Sequence, residues 1–414
     1  MRCSALCGIL VATLLAGPTI GQEASPPLPL RWADVVHRLD ALPELHEAGL
    51  RTLAAEAGVD AAGQVPNPEV EATLGRGMPR DNGTGGLEWG LGLTIPLDWL
   101  GPRGAQIRAA RSEADASRQD AREVRRQVLG RLATLYWKVA FDQHLVATLM
   151  ETEAQVARLS AMIRLRVEKG EARPTELPRI ETEVERVRID LGRARSESRA
   201  DLRKLAMVLG LPADPPLKVD ADTTESPAPS GQDEARRRVA GSHPRLAAAQ
   251  ARILGRTAEV SAERARRIPS ISVGGYFNRE LDQDAAGGLV QFRLPVWNWN
   301  TGGIRRAEAL RMASQQGAET DARDLLAETD ATWERCTQGR ESAARFDTEI
   351  LPRAEAASRA VERGFELGEM SLIDVLDARR VLLDVRKERI DSGLRARTDC
   401  TALAVLTGEI DDAK

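Results

Sequence analysis

The sequence predicts a mainly α-helical protein with a small membrane β part, built from two copies of a helix, strand, strand, helix, helix repeat. Three observations predict it. The 414-residue chain is 42% apolar and 29% charged but only 3% aromatic, which suits long thin helices and leaves too few large rings for several thick globular cores. Two stretches alternate apolar and polar residues with the period of a strand. The order of distinctive residues recurs in the second half at an offset of about 198–201 positions.

The first 21 residues read as a signal peptide. Arg2 precedes an apolar run from about Ala5 to Ala16, and Thr19 and Gly21 supply the small residues of a cleavage site before Gln22. A single-pass anchor is the alternative, disfavoured because nothing lengthens the run. Cys3 and Cys7 lack a lipoprotein processing context. Export therefore leaves two cysteines, Cys336 and Cys400. The formal charge of −4, from 58 basic and 62 acidic residues interspersed, provides no single-sign field and excludes nucleic acid as a partner.

The first repeat, 22–210, holds strands at about 68–76 and 87–97, where Val70, Ala72 and Leu74, then Trp89, Leu91, Leu93 and Ile95, alternate with small or polar residues. A Pro/Gly/Asn/Asp-rich turn joins them into a hairpin. The Pro/Asp/Ser-rich stretch 211–231 is the linker. The second repeat, 232–414, holds strands at about 270–279 and 288–296, joined by the loop Glu280–Gly288. Repeat partners include Leu42-Pro43 with His243-Pro244, Gly170-Glu171 with Gly368-Glu369, and Leu205–Gly210 with Leu403–Gly408.

Helices fill the remainder. Two long ones, about Gly101–Glu168 and Gly302–Leu367, each reach on the order of 100 Å. In the first, Val128, Leu135, Leu149, Val156 and Ile163 keep a seven-residue register broken only by Asp142, the pattern of side-by-side helix packing. Pro352 should disturb the second. Shorter helices, Pro43–Val65 with Glu176–Leu209 and Pro244–Ile268 with Leu372–Leu406, sum to nearly one long helix per half.

No segment is apolar enough for a transmembrane helix, yet strands of nine to eleven residues suit a tilted crossing of a bilayer. Four strands leave open edges that lipid penalises. Three chains supply twelve strands and begin to leave a lumen, whereas two supply eight and are filled by side chains. The expected assembly is a trimeric 12-stranded β-barrel continued on the periplasmic side by a long α-helical barrel. Trp297, Trp299 and Trp99 lie at strand-to-helix transitions, as an interfacial aromatic belt or as plain packing.

Several motifs carry this arrangement together: Pro66-Asn67-Pro68-Glu69, Leu87–Leu91 through Pro96-Leu97 to Arg103-Gly104, Leu294–Asn298, and above all Gly368–Ala378. In these the chain resembles the outer-membrane factors of the TolC-like family, especially their heavy-metal cation efflux branch. The resemblance covers the mature chain. It implies a homotrimeric, outer-membrane duct that passively conducts substrates and works with a periplasmic adaptor (membrane fusion protein) and an inner-membrane RND-type pump, in contact with outer-membrane lipid. Heavy-metal cations are the implied cargo, with drugs or other small organic compounds as the alternative. A periplasmic adaptor is the competing class, but it calls for one helical hairpin and many strands rather than two hairpins and four.

Gly170 and Gly368 follow long helices where the chain reverses, far from the strands, and mark the periplasmic tips. Ser371 and Asp374 have the spacing of a capping box, which accounts for one acid. The resemblance implies another role for Asp374 and Asp377, as acidic rings at the closed entrance. Glu176 is the repeat counterpart of Asp374, and Arg179 replaces the second acid. Drug-exporting relatives can latch the tip with a basic residue two positions after the Gly; here Met370 and Ala172 stand there, so that latch differs or is absent.

Cys336 and Cys400 lie equally far, 32 residues, before and after Gly368. In a hairpin turning there they sit at one height, so a disulfide is expected, with two buried thiols as the alternative. His37, His46, His144 and His243 lack metal-ligand spacing, and His243, just before a helix-opening proline, reads as structural. Neither a catalytic constellation nor a cofactor motif emerges: Gly90 and Gly92 lie in a strand with no phosphate-binding helix behind them. The chain reads as a non-enzyme.

Overall fold

The computed structural model describes residues 28–78, 84–97, 101–212, 217–221 and 228–410. The signal peptide, most of the first hairpin turn and Trp99 lie outside the described residues. The order is β1 (Leu28–Leu30), α1 (Trp32–His37), α2 (Pro43–Gly63), β2 (Glu69–Gly77), β3 (Gly86–Pro96), α3 (Arg103–Glu168), α4 (Glu176–Val208), β4 (Leu217–Val219), α5 (Gln232–Ser242), α6 (Pro244–Ala265), β5 (Ser270–Arg279), β6 (Asp284–Arg293), α7 (Thr301–Arg345), α8 (Leu351–Leu367) and α9 (Leu372–Thr407). No described helix is long and apolar enough to cross a membrane.

The two hairpins join into one antiparallel sheet, ordered β2-β3-β5-β6. Register places Val70 opposite Leu93, Leu91 opposite Phe277, Ile95 opposite Val273, and Val273 opposite Val290, so one face is a continuous apolar band. The other carries Glu71, Thr73, Thr94, Asn278 and Gln291. Since side chains alternate along every strand, this register is the one that collects all the apolar residues on one side. Many of them, Leu74 and Val290 among them, are exposed in the chain. β2 and β6 are its open edges. All four connections to helices leave from the end opposite the hairpin turns.

β6 departs from expectation. It begins at Asp284 and ends at Arg293, so the loop is Glu280–Gln283 and not Glu280–Gly288. Gly287 is a strand residue because a Cβ there would lie 2.8 Å from the Tyr276 ring; glycine makes room for the ring and marks no turn. Pro295, without an N–H, cannot extend the ladder beyond Arg293. The stretch between the halves also holds a short strand that its composition did not suggest. Within it β4 pairs in parallel with β1, Leu30 opposite Val219, and the Tyr136 hydroxyl donates to the Asp220 carbonyl at 3.0 Å. The described strands thus number six rather than four.

α3 is continuous over 66 residues, about 100 Å. Its repeat counterpart is not. α7 gives way to a single π-helical turn, Phe346–Ile350, and α8 follows. Pro352 stands in the first turn of α8, where its missing N–H costs least, and the wide turn before it absorbs the break in the ladder. Packing falls into local clusters. The thickest surrounds Leu132, Tyr136, Trp137, Leu205 and Val219 and gathers scarce aromatics: Trp32 lies 5.5 Å from Tyr136, and Tyr136 5.2 Å from Trp137. Arg397 sits 4.0 Å over the Trp137 ring.

Candidate functional site

The tip is built from two helix reversals. After α3, Gly170 at φ +76° lets the N–H of Glu171 reach the Arg166 carbonyl at 2.8 Å. After α8, Gly368 at φ +81° lets the N–H of Glu369 reach the Gly364 carbonyl at 2.8 Å. Both are left-handed C-caps that glycine adopts without strain. The position two after Gly368, Met370, folds back over Gly364, whose missing Cβ would meet the methionine Cγ at 2.7 Å. Beneath the reversals Ile163, Ile180, Val184, Phe365, Leu372 and Val375 form one cluster that joins the two hairpins.

Ser371 and Asp374 close the capping box. The Asp374 carboxylate accepts from the Ser371 N–H at 2.8 Å and from its hydroxyl at 2.6 Å. These bonds, the hydroxyl's foremost, hold the carboxyl below the usual aspartate range. Asp377 is exposed one turn on, and the two acids share a face of α9. Glu176 opens α4, half-buried, with its N–H donating to Arg173 O at 3.0 Å.

Sequence reasoning missed the ion pairs between α4 and α9. Arg380 Nε lies 3.1 Å from Glu183 Oε2, and Lys387 Nζ 3.0 Å from Asp190 Oδ2; each pair spans 197 residues, just short of the repeat offset. Glu183 is buried, and an acid on the inner side of an otherwise apolar row, Ile180, Val184 and Val187, was the available signal. Arg379 similarly reaches Glu362 of α8 at 3.0 Å.

Higher up, Cys336 of α7 and Cys400 of α9 are joined in a disulfide with their Cα atoms 4.6 Å apart. At Gly339 the helices touch, a Cβ there lying 3.0 Å from Ala396 Cα. Asp142, the break in the α3 register, binds Lys138 at 3.2 Å; burial pushes its carboxyl up to about 6. His243 occupies the N-cap of α6, accepting the Arg245 N–H at its Nδ1 at 3.2 Å, and burial lowers its basicity. Leu42 is likewise the N-cap of α2. Among the described residues no group of three or more His, Cys, Asp or Glu side chains is arranged to hold a metal ion.

The chain thus joins a sheet with one apolar face and two open edges to long paired helices that leave from one end. The profile of the outer membrane efflux protein family matches residues 38–211 and 236–409, and the chain belongs to that family. It is 25% identical over 377 residues, 89% of this chain and 87% of the relative, to the cobalt-zinc-cadmium resistance protein CzcC of Cupriavidus metallidurans. It is 25% identical to the pyoverdine export outer membrane protein OpmQ of Pseudomonas putida, over 72% of this chain and 65% of that one. In fold it is similar to CusC, with a TM-score of 0.77 at 17% identity over 94% of this chain and 95% of that one. The open-state MtrE channel of Neisseria gonorrhoeae gives 0.76 at 18% identity over 90% and 88%. The chain is an outer-membrane efflux channel component.

Proposed function

We propose that three copies of this chain close their four-stranded sheets into a twelve-stranded barrel in the outer membrane, with twelve helices continuing as a periplasmic tube. The observation that carries this is the open sheet, with its apolar face and unpaired edges at β2 and β6. Lipid offers no hydrogen bonds to such edges, and only closure removes them. The tip, about 100 Å from the sheet by the length of α3, then meets a periplasmic adaptor and an inner-membrane RND-type pump that supplies the energy.

In this reading Asp374 and Asp377, tripled around the axis with Glu176 alongside, ring the entrance and favour cations. The capping role of Asp374 is compatible with it, because a carboxylate kept ionised by its cap retains its charge. Heavy-metal cations are the proposed cargo, supported by the name of the Cupriavidus relative. Small organic compounds are the second reading, supported by the pyoverdine exporter. Among the described residues no cluster of side chains is arranged to coordinate the cargo.

Detergent-extracted protein should run as trimers that conduct ions in planar bilayers; soluble monomers would refute the assembly. The Asp374→Ala/Asp377→Ala double variant should lose cation preference and block by multivalent cations, and unchanged selectivity would remove the rings. Deleting the gene should sensitise cells to divalent metals, and sensitivity confined to organic compounds would move the cargo to the second reading.

A further inference from the structure

α4 and α9 each leave a tip reversal, run parallel, and meet along one seam through Glu183–Arg380 and Asp190–Lys387. Beside that seam each helix carries a row of charge at seven-residue spacing. On α4 it is Arg179, Arg186 and Arg193; on α9 it is Asp377, Asp384 and Asp391, each 198 positions after one of the arginines. Residues seven apart share one face of a coiled helix, so these are two stripes of opposite sign. All six side chains are exposed, and among the described residues none makes a hydrogen bond or ion pair. Arg380, held by Glu183, senses the charge of Asp377 one turn before it.

Helix geometry fixes where the stripes point. At about 100° per residue, Arg186 lies about 60° round α4 from Glu183, and Asp384 about 40° round α9 from Arg380 in the opposite sense. On parallel helices those opposite turns bring both stripes to one side of the seam. By the repeat offset, the row of α9 that corresponds to Glu183 and Asp190 is Val381 and Glu388, and the row of α4 that corresponds to Arg380 and Lys387 is Thr182 and Ile189. These are the rows that α9 and α4 offer to a neighbour when the two helices alternate round a ring. They hold no opposite charges, and Ile189 and Val381 are 55% and 52% exposed, so the chain itself leaves them uncovered. The two seam rows of each helix lie about 100° apart with the stripe between them, close to the roughly 120° that a closed ring of six helices requires, so the stripes face the axis.

We propose that Arg179, Arg186 and Arg193 of one protomer pair, layer by layer, with Asp377, Asp384 and Asp391 of the partner subunit, forming a charge zipper on the lumen side of the seam between protomers. The inference rests on the trimeric reading and deepens it. Within a protomer the seam of α4 and α9 is held by its two ion pairs; between protomers the zipper takes their place. Arg179, standing where the other repeat has its second tip acid, then balances Asp377, and Asp374 keeps the net charge at the entrance. Exposed ion pairs are individually weak and screened by salt, so three layers narrow the tube without locking it.

The test is oxidative crosslinking of the purified Arg186→Cys/Asp384→Cys variant, read on a non-reducing denaturing gel. Bands of two and three linked chains are expected; monomers alone overturn the proposal. Arg193→Cys/Asp391→Cys probes a second layer independently should the first variant fail to fold. Ion conductance in planar bilayers gives another readout, at about 0.1 M salt, where exposed charges act over about 10 Å. Arg186→Asp should raise conductance severalfold, and the Arg186→Asp/Asp384→Arg exchange should return it to the wild-type value. A single variant that conducts like the wild type, or an exchange that restores nothing, overturns the zipper. At about 1 M salt the screening length falls to about 3 Å, so wild type and single variant should converge, and a persistent difference also counts against it. The wild type is sized first in detergent. If it is not a trimer, the assembly reading falls and the zipper with it; if it is, a failed crosslink or exchange counts against the zipper alone.

Discussion

The two helical hairpins lie in the two halves that the family model matches in turn, yet they solve the same problem differently. The first is plain: α3 runs 66 residues unbroken into α4 and carries no crosslink. The second is interrupted by a π turn below Arg345, tied to itself by Cys336–Cys400, and drawn close at Gly339 and Gly364. Where the second has Gly364 beneath Met370, the first has Arg166, whose guanidinium stacks 5.3 Å over Phe365 of its partner. The plain hairpin thus acts as the spine, and the irregular one leans on it through Glu183–Arg380, Asp190–Lys387 and the shared tip cluster. Two similar frames thus carry different local exceptions and meet through shared contacts.

The sharpest way to break that difference is Cys336→Ser/Cys400→Ser. Opening a loop of 64 residues should cost about 4 kcal/mol by the chain-entropy relation, read as a lower melting midpoint that reducing agent reproduces in the wild type only. Next is Arg380→Ala, which strands the buried Glu183 carboxylate. A loss of about 2 kcal/mol is expected, smaller in the Glu183→Gln background, and a double-mutant cycle reads the coupling. Gly368→Ala and Gly170→Ala should each cost about 1 kcal/mol in thermal melting, because both glycines have positive φ and neither has an atom in the way of a new Cβ. Gly364→Ala should cost more, since it displaces Met370.

A further effect, on the pH dependence of stability, lies in the first hairpin. Burial raises the Asp142 carboxyl to about 6, so ionising it costs stability in the window between the ordinary aspartate value of 3.8 and about 6. A raised acid favours the folded state at low pH and loses that advantage as pH rises. Asp142→Asn should therefore raise the melting midpoint at pH 7, with the gain vanishing below about pH 4.

Much of this was legible in the sequence because it is local. The left-handed turns at Gly170 and Gly368 follow from glycine after a long helix, and the Ser371–Asp374 box from a three-residue spacing. β2 and β3 lie within one residue of the alternation that marks them, and β5 matches it. β6 slipped because Gly287 and Gly288 read as loop when the reason for glycine at 287 was a ring on the neighbouring strand. The linker hid β4 for a similar cause: its partner Leu28–Leu30 lies 189 positions away, too far for any window of sequence to pair them. Asp374 could be assigned a cap from its neighbours, whereas Glu183 needed Arg380, which only folding brings near.

By itself, then, the sequence determined the repeat, the alternating strands, the helix lengths and the reversals, since periodicity and backbone preference act over a few residues. Tertiary structure alone decided that β3 of one repeat pairs with β5 of the other, merging two hairpins into one sheet, and that α4 and α9 meet through charges nearly one repeat apart. Those choices depend on which surfaces must be buried together, and burial is a property of the whole chain.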